Sequence, residues 1–92
     1  QKLGAGTWVL LCPKGDSGEA PQIALIQSIF RVDLAGYLHV SVLKQLHEDT
    51  DGLRYAKVSS DVAFENVRLD TMDVTVLLSS VHGGKRRFLE LP

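Results

Sequence analysis

QIALIQSIFRV, DLAG and YLHVSVL, together residues 22–43, form the stretch that decides how this chain folds. Two long runs rich in Ile, Leu, Val, Phe and Tyr flank a turn containing Gly36. That is the pattern of a β-hairpin. In the first run Ile23, Leu25 and Ile29 fall on one face, and Ala24, Ile26, Phe30 and Val32 on the other. Both faces are apolar, so the run should lie centrally or bend across two sheets. The pattern turns polar at Gln27–Ser28, where a bulge is expected. Asp33–Gly36 reads as the turn. The second run, Tyr37–Leu43, turns Leu38, Val40 and Val42 inward and Tyr37, His39, Ser41 and Leu43 the other way.

Upstream, Thr7–Cys12 (TWVLLC) reads as a strand with Trp8, Leu10 and Cys12 opposed to Thr7, Val9 and Leu11. Between it and the hairpin, Pro13–Pro21 holds two prolines and two glycines and is a loop. Downstream, Lys44–Gly52 is polar and ends in Asp-Gly, a loop or hairpin signal, before a strand at Leu53–Val58. In Ser59–Asp70, Ser60-Asp61 offers a cap for at most one helical turn and VAFENVRL also reads as a short strand; the favoured expectation is irregular structure with a brief strand near Val67–Leu69. At the end, Val74–Val81 and Arg86–Leu91 flank Gly83-Gly84. A two-residue turn there pairs His82 with Lys85, Ser80 with Arg87, Leu78 with Leu89 and Val76 with Leu91. Val76, Leu78, Leu89 and Leu91 then share a face, expected to be buried.

These runs make an all-β fold of about six or seven short antiparallel strands, a small, partly open barrel with at most one short helical turn. With 92 residues there is room for one core and no second lobe. A hydrophobic fraction of 45% with 23% charged residues fits an ordered domain. Formal net charge is −1, so no global field draws nucleic acid or anionic membrane. No apolar run approaches the roughly 20 residues of a membrane span. One cysteine, Cys12, cannot form an internal disulfide. This points to a reducing, intracellular compartment, nucleus or cytoplasm. Gln1 in first place suggests a piece of a larger protein.

Chemical motifs are sparse. Gly15-Asp16-Ser17-Gly18 matches the surroundings of a serine-protease nucleophile, but no His lies upstream to activate it, so a turn is the better reading. His47–Gly52 resembles half of a calcium loop, with His47 and Val58 where hard oxygen ligands belong. His39, His47 and His82 lack metal-ligand spacing, and no cofactor is implied. An enzyme is the least supported class. His82–Arg87 (HGGKRR) concentrates positive charge, making Lys85, Arg86 and Arg87 candidates for a phosphate or an acidic partner. The six aromatic residues are Trp8, Phe30, Tyr37, Tyr55, Phe64 and Phe88. Trp8 and Phe30 are expected to fill the core, and an aromatic cage for methylated lysine is the sharper alternative.

One order of elements resembles a known family. A Trp-Val-Leu-Leu strand, a Pro-containing loop and Gln-Ile-Ala-Leu-Ile-Gln-Ser-Ile-Phe precede the aromatic-led strand Tyr37–Leu43. A Glu48-Asp49-Thr50 turn and a late Val-Arg-Leu segment follow, before a Val-rich strand. Over about residues 7–80 this looks like the bromo-adjacent homology (BAH) domain, within a broader set of SH3-like and Tudor-like small barrels. The Trp-Phe-x-Arg-Pro run common in BAH domains is absent; Ser41-Val42-Leu43-Lys44-Gln45 stands there. The resemblance implies a chromatin-associated β module that binds protein partners, including histone tails.

The expectation is therefore a non-catalytic module that binds a protein or peptide segment along a strand edge or an end groove. Trp8, Tyr37, His39 and Tyr55 are its candidate groove residues. Contact with nucleic acid through residues 82–87 is one alternative, and a structural or homodimerisation domain is another.

Overall fold

A computed structural model describes residues 3–15 and 18–90. Eight strands lie in one antiparallel sheet: β1 (Trp8–Pro13), β2 (Gln22–Val32), β3 (Ala35–Leu43), β4 (His47–Glu48), β5 (Arg54–Lys57), β6 (Val62–Arg68), β7 (Met72–His82) and β8 (Lys85–Glu90). Their order across the sheet is β4-β5-β8-β7-β1-β2-β3-β6. The sheet curls as an open half-barrel, as the sequence pattern anticipates. A single 3-10 turn at Leu69–Thr71 is the only helical element among the described residues.

The centre of the sheet explains the apolar runs. β1 sits between β7 and β2, and its middle residues Val9, Leu10 and Leu11 are buried on both of its faces. Val9 and Leu11 join Ala24, Ile26, Leu38, Val40, Val42 and Val67 on one face, hereafter the Val9 face. Leu10 joins Ile23, Ala56, Leu77 and Phe88 on the other, the Trp8 face, with Trp8, Cys12, Leu43 and Leu46 packed around them. A curled sheet can thus bury two small clusters on opposite faces of the same strands. Fully burying each Val, Leu, Ile or Phe among the buried side chains contributes about 1.5–3 kcal/mol.

The bulge falls where the sequence turns polar. Ile26 pairs with Val40 and Ser28 with His39, which leaves Gln27 as the extra residue. Its consequence differs from simple alternation. Ile29 now pairs with Leu38 on the Val9 face, while Phe30 pairs with Tyr37 on the Trp8 face. Nor is the far half of β2 central. β1 pairs with it only as far as Leu25, so Ile29, Phe30 and Val32 overhang the core and are exposed. The turn is tighter than expected: Val32 pairs with Ala35, leaving only Asp33 and Leu34.

Three further corrections come from long-range pairing. The segment read as irregular holds β6, a full strand against β3, and the chain makes its helical turn at Leu69–Thr71 rather than at Ser60. Leu69 seats against Gly36 so closely that a Cβ there would lie 3.0 Å from Leu69 Cδ1. His47–Glu48 pairs with β5, adding a strand inside the polar loop.

The closing hairpin has the expected register, His82 with Lys85 through Leu78 with Leu89. Gly83 (φ 60°) and Gly84 (φ 75°) supply the two positive dihedrals of its tight turn. Yet Leu78 and Leu89 are half exposed, and Val76 is only half buried. Trp8 pairs with Leu77 at the start of β1, so no further rung of β1 lies beside Leu78. Phe88 and Leu77, on the Trp8 face, are buried instead. Leu91 lies outside the described residues.

Candidate interaction surface

The Gln27 bulge determines what the outer half of the Trp8 face displays. Cross-strand partners share a face, so β2, β3 and β6 build it in rows. Phe30, Tyr37 and Arg68 form the first; Ser28, His39 and Asn66 the second; Leu25, Ser41 and Phe64 the third. The rings stack across the strands. Phe30 and Tyr37 lie 5.3 Å apart at 9°, and His39 and Phe64 5.9 Å apart at 15°.

Polar side chains lock the rows. His39 Nδ1 donates to Asn66 Oδ1 at 2.8 Å, an arrangement that needs the proton on Nδ1. Gln27 Nε2 donates to Ser41 Oγ at 3.1 Å. Arg68 Nε donates to Asp70, and that carboxylate holds the guanidinium pKa above its ordinary value, with Tyr37 adding to the effect. No carboxylate belongs to this face of the three strands. Phe64 is 64% exposed and Phe30 36%. This is a flat, aromatic, nearly neutral surface.

Of the residues singled out in the sequence, the structure brings together three. Tyr37 and His39 stand two positions apart on β3, and Trp8 lies on the same face, in the row that runs through Leu25 and Ser41 to Phe64. Trp8 packs on Phe88 (5.1 Å) beneath the Arg86 guanidinium (5.0 Å), so it is shared with the core. Tyr55 is elsewhere: it pairs with Arg87 on the Val9 face of β5 and stacks on His47 at 5.2 Å. Phe30, expected in the core, is a surface residue. Phe30 and Phe64 complete a surface the sequence reading did not assemble. The one signal for Phe64 was an apolar residue flanked by Ala63 and Glu65 in a segment with no clear period.

The basic tip also divides. Arg86 turns to the Trp8 face, where its Nη1 donates to Ser79 Oγ at 3.1 Å. Lys85 and Arg87 lie on the Val9 face, and Lys57 stands directly across from Lys85. Lys85 Nζ sits 4.9 Å from the Tyr55 ring centre. The aromatic rings meet in pairs, and among the described residues none of these pairs closes into a cage.

Elsewhere the chemistry is structural. Asp49 Oδ1 accepts from the Asp51 and Leu53 N–H groups, so the acidic loop spends that carboxylate on its own turn. Among the described residues no group of three or more His, Cys, Asp or Glu side chains could hold a metal ion. Asp16 and Ser17 of the protease-like tetrapeptide lie outside the described residues. A cleft of about 240 Å³ opens between Leu53, Arg54 and Phe88 over Leu10, Ile23 and Leu77. It is smaller than the roughly 300 Å³ at which ligand pockets begin, and none of the four candidate groove residues lines it. Among the described residues no helix is long and apolar enough to cross a membrane. Searches against protein-family models, curated proteins and solved structures each return no match.

Proposed function

We propose that this chain is a non-catalytic interaction module that receives a protein or peptide segment on the outer Trp8 face of β2, β3 and β6. One observation carries the reading: the ring pairs Phe30–Tyr37 and His39–Phe64 stand at the surface of an open sheet, interspersed with hydrogen-bonding side chains. Aromatic anchors with polar neighbours are what protein interfaces favour. The BAH-like spacing makes chromatin proteins, histone tails included, the first class of partner to try. The unpaired, half-buried Cys12 suits a reducing compartment, nucleus or cytoplasm.

The test uses two probes, a displayed library of random dodecapeptides and synthetic histone-tail peptides. Wild type is compared with the surface double variant Tyr37→Ser/Phe64→Ser, its fold checked by circular dichroism. The expected result is binding near or below about 100 µM that weakens at least tenfold, about 1.4 kcal/mol, in the variant. No peptide retained at millimolar concentration, or equal binding by the variant, removes this reading.

A second reading has its own observation. Lys57, Lys85 and Arg87 share the Val9 face of β5 and β8 with no acidic neighbour on those strands' same face. Like charges directly opposite are unfavourable, and a phosphate-bearing partner such as nucleic acid would relieve them. Replacing these three by Ala should weaken duplex DNA binding and flatten its salt dependence. Unchanged binding eliminates the patch.

A further inference from the structure

β6 ends the sheet: Val62–Arg68 pairs with β3, and among the described residues no other strand pairs with it. Which of its backbone groups are free follows from one bond just past the ladder. The Lys44 N–H donates to the Asp61 C=O at 3.3 Å, and these two residues are the next rung after Leu43 and Val62. Antiparallel rungs alternate between hydrogen-bonded and open pairs. Ala63, Glu65 and Val67 therefore turn their N–H and C=O toward β3, and Val62, Phe64, Asn66 and Arg68 turn theirs outward. Thr71 Oγ1 donates to the Arg68 C=O at 2.7 Å, from outside the β3 ladder, as this parity requires. The remaining outward groups recur at a spacing of about 7 Å, the repeat that only another extended backbone matches.

Sheet edges are commonly blunted by Pro, Lys, bulges or brevity. β6 has seven residues, no Pro, no Lys and no register shift against β3. Instead it carries exposed Val62 and Phe64 on the Trp8 face and exposed Glu65 on the Val9 face. Glu65 stands across from Val40 and takes no part in the nearby Arg68–Asp70 ion pair.

That carboxylate chooses the occupant. The two-fold register overlapping the whole of β6 with a second copy sets Phe64 against Asn66 and Glu65 against Glu65. The two carboxylates would meet at an open rung, where Cα atoms approach to about 4.5 Å. In that register a second copy of the chain is disfavoured, and a strand bearing a cation at that rung is favoured.

We infer that β6 is the docking edge for an extended segment of another protein. The segment adds as an antiparallel strand, with Lys or Arg across from Glu65 and apolar side chains across from Val62 and Phe64. This rests on the peptide-binding reading above and deepens it by naming the edge, the register and the partner's charge. The apolar residues of the added strand would extend the Ser41–Phe64 and Leu43–Val62 rows.

The probes are a capped peptide containing Thr-Lys-Ile-Thr-Ile, its Thr-Glu-Ile-Thr-Ile counterpart, and any dodecapeptides from the library above. The readouts are NMR amide hydrogen exchange, titration and light scattering on the full chain. Bound peptide should protect the amides of Val62, Phe64, Asn66 and Arg68 at least tenfold and leave Ala63, Glu65 and Val67 unchanged. The Lys peptide should bind at least tenfold tighter than the Glu peptide, and Glu65→Lys should reverse that order. A peptide that shifts Tyr37 and His39 yet leaves the four outward amides unprotected overturns the edge while the module reading stands. Equal affinity of the Lys and Glu peptides overturns the assigned charge. Protection that grows with protein concentration alone, with a dimer in light scattering, hands the edge to a second copy and overturns the inference. Absence of any bound peptide defeats the module reading itself, and this inference with it.

Discussion

The two ends of the sheet pose one problem and meet it with different chemistry. At one end β4 is two residues long, and the part of β5 it leaves uncovered carries Lys57. The chain then folds back at once, the Ser60 N–H donating to the Lys57 C=O at 2.9 Å. At the other end β6 runs seven residues with Phe64 and Glu65 exposed and Arg68 tied to Asp70. A short edge backed by Lys57 offers little room for a further strand, and a long, aromatic edge with one carboxylate would, on the proposal above, select among them. The contrast teaches that openness alone does not make a sheet sticky. Length and side-chain charge at the edge matter too.

The comparison can be broken most sharply with proline. Ala63→Pro removes an N–H that serves the β3 ladder and should cost roughly 2–3 kcal/mol in urea unfolding. Phe64→Pro removes an outward N–H and should cost less than about 1 kcal/mol while abolishing strand addition. Equal costs would show that the backbone parity assigned to β6 is wrong. At the opposite end, Ala56 is buried beside Trp8 and Phe88. Ala56→Leu overpacks that contact and should lower stability by about 1–3 kcal/mol, measured the same way. A negligible loss would mean that β5 is only loosely docked. Gly84→Ala places a side chain at positive φ beside this edge and should cost about 1 kcal/mol in thermal unfolding. Smallest is Lys57→Glu, which turns a repulsive rung into an attractive one. It should add about 0.3–0.5 kcal/mol at low salt and nothing at 1 M salt, where screening reaches about 3 Å.

How far the sequence could be read depends on whether a feature is local. The Gly83-Gly84 turn demands positive φ at adjacent positions, so its register was legible to the residue. Which side of that hairpin lies buried was not, because it depends on where β1 stops beside Leu77. The bulge was legible from the polarity of Gln27–Ser28, but a change of parity is invisible until Ile29 is seen opposite Leu38. β3 alternates cleanly, which is why Tyr37 and His39 were rightly placed together on one face. β6 hid itself. Its Phe64 sits outward and Val67 is its one buried residue, so no apolar period marks it. Tyr55 was misgrouped because the face of a four-residue strand is fixed by its pairing with Arg87, not by its neighbours.

Gln27 acts as a reading-frame shift written in backbone. Counted along the sequence, every β2 side chain downstream of it changes side, yet each keeps its place in the β3 series, Phe30 beside Tyr37 included. Deleting that one residue would restore strict alternation and still leave Phe30 across from Tyr37, because Ile26 and Ser28 already pair with the consecutive residues Val40 and His39. What the extra amide adds is its own side chain, whose Nε2 reaches Ser41 Oγ. A one-residue insertion at such a point is absorbed by the backbone and not passed on to the face beyond it.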